Sequence, residues 1–451
     1  MTLILAAAVL ATVAAPRTIT VGGPGADFPL IAPAIAAARP GDRIVVRAGV
    51  YREDLLLDRP VAILGEGYPV LFGTGQGSVI RITAPGCEVR GLIVEGTGTG
   101  ATNAMDAAIQ IESDGNRITR NRMRRVFYGI VIAGASHNEV TGNEIAGFHD
   151  LPYGQRGDGI YLYRAPDNLV RDNHVVGQRD GIYFQYAPRS QAVGNLVERS
   201  RYGLHDMFSD EARIAGNVFR GCSVGANIMN GRRIVLQDNR IEENRGVTGV
   251  GLSIKDCDGS TIERNAIVGN PRGVQVDGSS TNAFRGNRFT WNGVALYLFA
   301  SAEQNVFAGN DFDENVTDLI VSGRESGNRW TEDRRGNRWS RYAGYDFDGD
   351  GVGDLPHPLL QPFEKLEGRN PAVRLFLRSP AAAALELAGR FDAAGSTDPI
   401  DAAPLVAPAP APAQPDAPAL DAWRLAAALA IGLALVAMAN RLLQEVRPCS
   451  R

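Results

Sequence analysis

The chain has 451 residues, enough for one large or two ordinary domains, and at 44% apolar and 21% charged it is not a disordered chain. The net charge is 46 − 50 = −4 and no basic block stands out, which argues against a nucleic-acid partner, since such partners need a clustered basic footprint. Four cysteines, Cys87, Cys222, Cys257 and Cys449, are too few for a disulfide scaffold, and long apolar runs occur only at the two ends, which argues against a polytopic membrane protein.

Leu3 to Ala15 is apolar and ends in small residues, the pattern of a secretory signal, although no Lys or Arg precedes Arg17. Residues 1–15 are therefore expected to be a signal peptide or an uncleaved N-terminal anchor, and the protein to be exported. Residues 29–38 read as a short helix that caps an open end. Val61–Leu64, Val79–Ile82 and Val89–Leu92 read as degenerate coils.

A repeat then dominates the body. The unit Asn-x-apolar-x-x-Asn recurs as 116–121, 138–143 and 168–173, with variants that close at Asn195, Asn217, Asn239, Asn265, Asn287 and Asn310. The closing residues are spaced 22, 30, 22, 22, 22, 26, 22 and 23 apart, so 22 is the period and the larger values are insertions. Each unit holds short alternating apolar runs, which is strand periodicity, separated by Gly and Asn, which tolerate the left-handed conformation of tight corners. Strands that stack on their equivalents one turn later, about 4.8 Å away, make a parallel β-helix. The predicted fold is all-β: a right-handed parallel β-helix over 16–330, with an Asn ladder at the corner.

Register separates inside from outside. After Gly181, Gly225, Gly251 and Gly273, alternate apolar residues point inward and those between point outward. One outward column runs Tyr161, Tyr183, His205, Asn227, Ser253; its neighbour runs Tyr163, Gln185, Met207, Met229, Lys255. His205 and Met207 share one strand, and Met207 and Met229 stack one coil apart. Imidazole and thioether donors suit the soft ion Cu(I); the other reading is an apolar patch that docks a partner or lies beneath a loop. His149 lies in an inserted segment, 148–156, placed to cover this face. His137 and His174 fall at turn positions. Asp206 takes an inward slot and needs a partner that the sequence does not name.

Asp346, Asp348, Asp350 and Asp354, with Gly351 and the Val352 carbonyl, match the first nine positions of an EF-hand-like loop, but position 12 is His357. The expectation is an abbreviated Ca²⁺ staple; the alternative is an acidic turn without metal. Ser379-Pro380 reads as the start of a helix running to about Ala388, within a C-terminal cap at 331–397. Residues 398–419, rich in Pro and Ala, read as an extended linker. Leu425 to Ala439, flanked by Arg424 and Arg441, is short of the ~20 residues that usually span a bilayer. It is expected to anchor 420–443 in the membrane with 444–451 in the cytoplasm; the other reading is an amphipathic surface helix.

Together the segments 41–51, 156–162, 202–207, 224–229, 336–342, 345–354 and 374–380 resemble the NosD family, periplasmic accessory factors in nitrous oxide reductase maturation. The resemblance covers most of residues 27–400. It implies that His205, Met207 and Met229 match the family's own His and Met positions and favours copper as cargo. It also implies an ABC transporter made of a cytoplasmic ATPase and a membrane permease, nitrous oxide reductase, and a copper chaperone as partners. Asp206, where such proteins tend to have an aromatic, and the absence of His and Met in 398–406 depart from the pattern. The rival readings are a carbohydrate lyase or epimerase on the same fold, using Asp158, Asp180, Arg156 and Arg179, and a scaffold that never touches metal.

Overall fold

A computed structural model of the chain describes residues 15–99, 105–148, 150–246, 249–323, 327–342, 344–360, 362–377, 379–389 and 399–407. Three parallel sheets enclose one interior. The first has 13 strands, from Thr18–Val21 to Val306–Ala308; the second has 13, from Val50–Arg52 to Arg338–Trp339; the third has 12, from Leu55–Leu57 to Thr317–Ser322. Within each sheet a strand's neighbours are its equivalents one coil away, so the chain is the predicted right-handed parallel β-helix.

The alternation in sequence becomes an interior of stacked columns. Val140, Val170, Ala192, Ile214, Leu236 and Ile262 pair in that order up the first sheet, and all are buried. Towards the C-terminal end the columns turn aromatic: Phe284, Phe307 and Trp330 stack at 4.6 and 4.7 Å, and Phe289, Phe312 and Trp339 at 4.7 and 4.2 Å. Apolar burial at about 25 cal/mol per Å² is the main source of stability here, because each coil's inner face is covered only by its neighbours.

The predicted asparagine ladder is present, and among the described residues other corners carry asparagine runs as well. From Asn121 through Asn143, Asn173 and Asn195 to Asn337, each backbone N–H and each Nδ2 donates to the Oδ1 of the next rung, as at Asn121–Asn143 (3.0 and 3.1 Å). A second ladder begins at Asn116 and Asn138, and a third runs Asn244, Asn270, Asn292, Asn315. These side chains are buried and fully engaged, which is why a polar residue is accepted at an interior corner.

Helix α1, Ile31–Ala37, caps the N-terminal end as expected, burying Ile31, Ala34 and Ile35; its first amides donate to Glu53 at 2.8 and 2.9 Å. At the other end, helix α2, Pro362–Arg369, packs Phe363 inward, and helix α3, Pro380–Gly389, starts at Ser379, whose Oγ accepts from Ala382 N at 3.2 Å. The solenoid outruns the predicted boundary at 330, since Arg338–Trp339 is the last strand of the second sheet.

One expectation is corrected. The sequence assigns 398–419 to an extended linker, but over its described part, 399–407, Ile400–Asp401 pairs antiparallel with His357–Pro358, and Leu405 is buried beside Arg338 and Val352. Pro and Ala content does not report this, because the contact is carried by Asp401 and Leu405. Residues 1–14 and 408–451, including the expected anchor 420–443 and tail 444–451, lie outside the described residues. Among the described residues no helix is long and apolar enough to cross a membrane.

Candidate metal centre

The third sheet carries the outward columns. Its central strands are six residues long and open with glycine near the corner, as in Tyr202–Met207 and Val224–Met229. Gly203 is required there: a Cβ would collide with the carbonyl oxygen of Gly225 in the next coil. This close approach sets the register that pairs Tyr183 with His205, His205 with Asn227, Gln185 with Met207, and Met207 with Met229. His205, Met207 and Met229 are thus brought to one patch, as expected. Lys255 follows Met229 in the column, and Asp277 follows Lys255.

These side chains point out of the solenoid, yet the patch is not open to solvent. His205 is 8% exposed and Tyr183 8%, while Met207 and Met229 are half-buried. The cause is a stack of rings: Tyr161 on Tyr183 at 4.9 Å, Tyr183 on His205 at 4.4 Å with 6° between planes, and Tyr202 edge-on to His205 at 5.0 Å. Met207 packs against this cluster. Burial raises the Tyr161 and Tyr183 phenols above their ordinary range, so both stay neutral.

The two nitrogens of His205 differ. Nδ1 lies 3.0 Å from Oδ2 of Asp180, a carboxylate also gripped by Arg201 through Nε at 3.0 Å and Nη2 at 2.8 Å. Nε2 is buried with no hydrogen-bond partner among the described residues. A buried polar atom without a partner is costly, and here it sits on the strand that carries Met207. One imidazole nitrogen and two thioethers form a donor set for a soft, low-coordinate cation. Asp180 as the partner of His205 is missed by the sequence reading. The only signal is the 25-residue separation, which the period of 22 plus one half-strand produces.

Directly behind the patch, Asp206 points inward between Phe184 and Ile228, fully buried, with neither oxygen hydrogen-bonded among the described residues. The nearby Ser209 hydroxyl, which donates to Met207 O and accepts from Ala187 N, opposes the effect of burial without cancelling it. Burial pushes the Asp206 carboxyl well above the ordinary carboxylate range.

The other predicted residues fall elsewhere. His174 Nε2 pairs with Glu198 at 2.9 Å on the second sheet, and His137 occupies a left-handed corner at φ 58°. His149 lies outside the described residues. The inserted segment around it is tied to the corner before the third sheet, with Tyr153 Oη on Arg199 O at 3.1 Å and Arg156 Nη1 on Gly177 O at 2.9 Å. Cys87, Cys222 and Cys257 are buried free thiols. Asp158 and Asp180 are enclosed and held by Arg179 and Arg201, so the carboxylates of the lyase reading present no open surface to a polymer.

In the acidic loop, Asp346, Asp348 and Asp354 bring carboxylate oxygens within 4.8 Å of one another. Asp350 does not join them: its Oδ1 accepts from Val352 N at 2.7 Å. The loop is anchored by Leu405, which bridges to Val352.

A family model described as periplasmic copper-binding protein (NosD) matches residues 148–344. A Pseudomonas aeruginosa protein described as a probable ABC transporter binding protein NosD is 37% identical over 383 residues, covering 80% of this chain and 89% of the relative. A Stutzerimonas stutzeri protein of the same description is 37% identical over 349 residues, covering 74% of this chain and 79% of the relative. Among solved structures, the catalytic unit of a GH87 α-1,3-glucanase from Streptomyces thermodiastaticus superposes with a TM-score of 0.52 at 16% identity over 67% of this chain and 64% of that one. The alginate lyase AlyF does so with 0.50 at 13% over 70% and 86%. At such identities these two likenesses show the β-helix alone.

Proposed function

The chain belongs to the NosD family of periplasmic copper-binding proteins, and from that premise we propose that it holds Cu(I) transiently through His205 Nε2, Met207 Sδ and Met229 Sδ, and hands it on for copper-site assembly in nitrous oxide reductase. The observation that carries the ligand assignment is the buried, unpartnered Nε2 of His205 on the strand that also bears Met207. Copper here is cargo. Three soft or borderline donors favour the cuprous ion, and the stacked rings around them limit water. The protein works in the periplasm beside an ABC transporter, whose permease is its membrane partner and whose ATPase drives the system from the cytoplasmic side; a copper chaperone is the donor. The β-helix acts as a rigid carrier of surfaces rather than an enzyme, in keeping with the enclosed state of Asp158 and Asp180.

Competition against a chromogenic Cu(I) chelator tests the assignment. The protein should bind Cu(I), and replacement of His205, Met207 and Met229 by Ala should lower affinity while far-ultraviolet circular dichroism stays unchanged. Equal affinity in the two proteins would sink it and leave the apolar-patch reading.

A further inference from the structure

Asp158 and Asp180 occupy equivalent rungs one coil apart, and each is gripped by an arginine 21 residues later: Arg179 on Asp158 at 2.9 and 2.7 Å, Arg201 on Asp180 at 3.0 and 2.8 Å. The difference that matters is the neighbouring ring. Tyr183 stands in the first where His205 stands in the second. Only the Asp180 rung therefore places a carboxylate on an imidazole, at 3.0 Å.

A carboxylate is acceptor-only, so it requires the proton of a neutral imidazole on Nδ1 and leaves the lone pair on Nε2. The ring is held on several sides. Tyr183 lies flat on one face at 4.4 Å, Tyr202 meets it edge-on at 5.0 Å, and Arg201, which holds Asp180, also lies 4.4 Å over the Tyr202 ring. Carboxylate, guanidinium and two phenol rings converge on the orientation of one histidine.

We propose that Asp180 is a positioning residue that fixes His205 in the Nδ1-protonated tautomer and so makes Nε2 the nitrogen that receives Cu(I). The inference rests on the copper reading above, but its first consequence concerns the metal-free protein. In Asp180→Asn, Arg201 claims the amide oxygen and the amide NH₂ faces Nδ1, which must then accept. The proton moves to Nε2, and the ligand atom is blocked. Loss of an outer-shell partner of a metal-bound histidine costs about 10- to 100-fold in affinity.

Long-range ¹⁵N–¹H NMR on full-length protein labelled at histidine reads the tautomer without metal, with the His205 signals identified by their absence in His205→Gln. Wild type should show a protonated Nδ1 and a bare Nε2. Asp180→Asn should reverse them and lose about 10- to 100-fold in Cu(I) affinity. Asp158→Asn, the neighbouring rung, should change neither. A wild-type His205 protonated on Nε2, or an Asp180→Asn protein that keeps both tautomer and affinity, overturns the proposal, as does an equal effect of Asp158→Asn. If the tautomer behaves as expected but wild type binds Cu(I) no better than the triple Ala variant, the copper reading has failed and the positioning role toward copper falls with it.

Discussion

Asp401 accepts from the backbone N–H of Asn337 at 2.7 Å and from its Nδ2 at 3.3 Å, and so stands where the next coil would have supplied an asparagine. Trp339 Nε1 donates to the same oxygen at 2.9 Å. A solenoid's last rung leaves donors with no coil above them, and here a returning segment from beyond the cap satisfies them. Asp401→Ala should therefore strand several buried donors and cost about 3 kcal/mol, whereas Asp401→Asn keeps an acceptor and should cost about 1 kcal/mol. Urea unfolding with an unchanged m-value measures both. An Ala variant as stable as wild type would mean that the ladder's end is not sealed by this residue.

Asp206→Leu should stabilise the protein at neutral pH by about 1–3 kcal/mol. The position lies between Phe184 and Ile228 in an apolar column, and the carboxyl has no partner there. Leu branches at the same atom as Asp but is larger, so repacking against Phe184 and Ile228 takes part of the gain. A lower denaturant midpoint for the Leu variant would show that the acid is held by something other than apolar walls.

Asp318 gives a dependence on pH. Burial raises its pKa from the ordinary 3.8 to about 6, opposed by Arg341 and by the Asn315 amide, which donates at 3.2 Å. The folded protein thus binds more protons than the unfolded chain between those values, and stability falls as pH rises through that window. The full difference is about 3 kcal/mol. Asp318→Asn, neutral throughout, should lack this part of the slope. Melting curves from pH 3.5 to pH 7 that remain parallel for the two proteins would contradict it.

The repeat was open to sequence reading because period, alternation and corner residues are local and recur many times; a chance match cannot sustain a spacing of 22 through five of eight intervals. Outward and inward registers followed from the same alternation, which is why His205, Met207 and Met229 fall together. Asp180 and Asp401 were not legible. The 64-residue separation of Asp401 from Asn337 follows no period, the 25 residues from Asp180 to His205 exceed the period by half a strand, and each Asp looks from sequence like an ordinary turn or linker residue. Exposure was also illegible, because ring stacking along the column buries residues whose register faces outward.

The acidic loop should bind Ca²⁺ through Asp346, Asp348 and Asp354, with the loop's own amides already arranged around Asp346. Calcium should raise the melting temperature of wild type by mass action and leave Asp348→Ala plus Asp354→Ala unmoved. Asp350→Ala should keep the response, since Asp350 lies outside the group of three carboxylates. A wild-type melting temperature indifferent to calcium and to chelator makes the loop an acidic turn.

The remaining prediction concerns the membrane partner. The segment Pro371–Phe376 is a short 3₁₀ turn after α2, and it leaves Leu375 86% and Phe376 63% exposed while Leu377 is half-buried. Capping explains α2, whose Phe363 is buried, but it does not explain two large apolar side chains held in water on an ordered turn. They are the docking residues we propose for the permease, with the chain beyond residue 407 as a tether that raises their local concentration at the membrane. Leu375→Asp plus Phe376→Asp should abolish co-purification of the permease with a β-helix that stays folded by circular dichroism. Deleting 420–451 should weaken the complex without eliminating it. If the deletion alone eliminates the complex and the double Asp variant binds normally, the tether is the interface and Leu375 and Phe376 face some other surface.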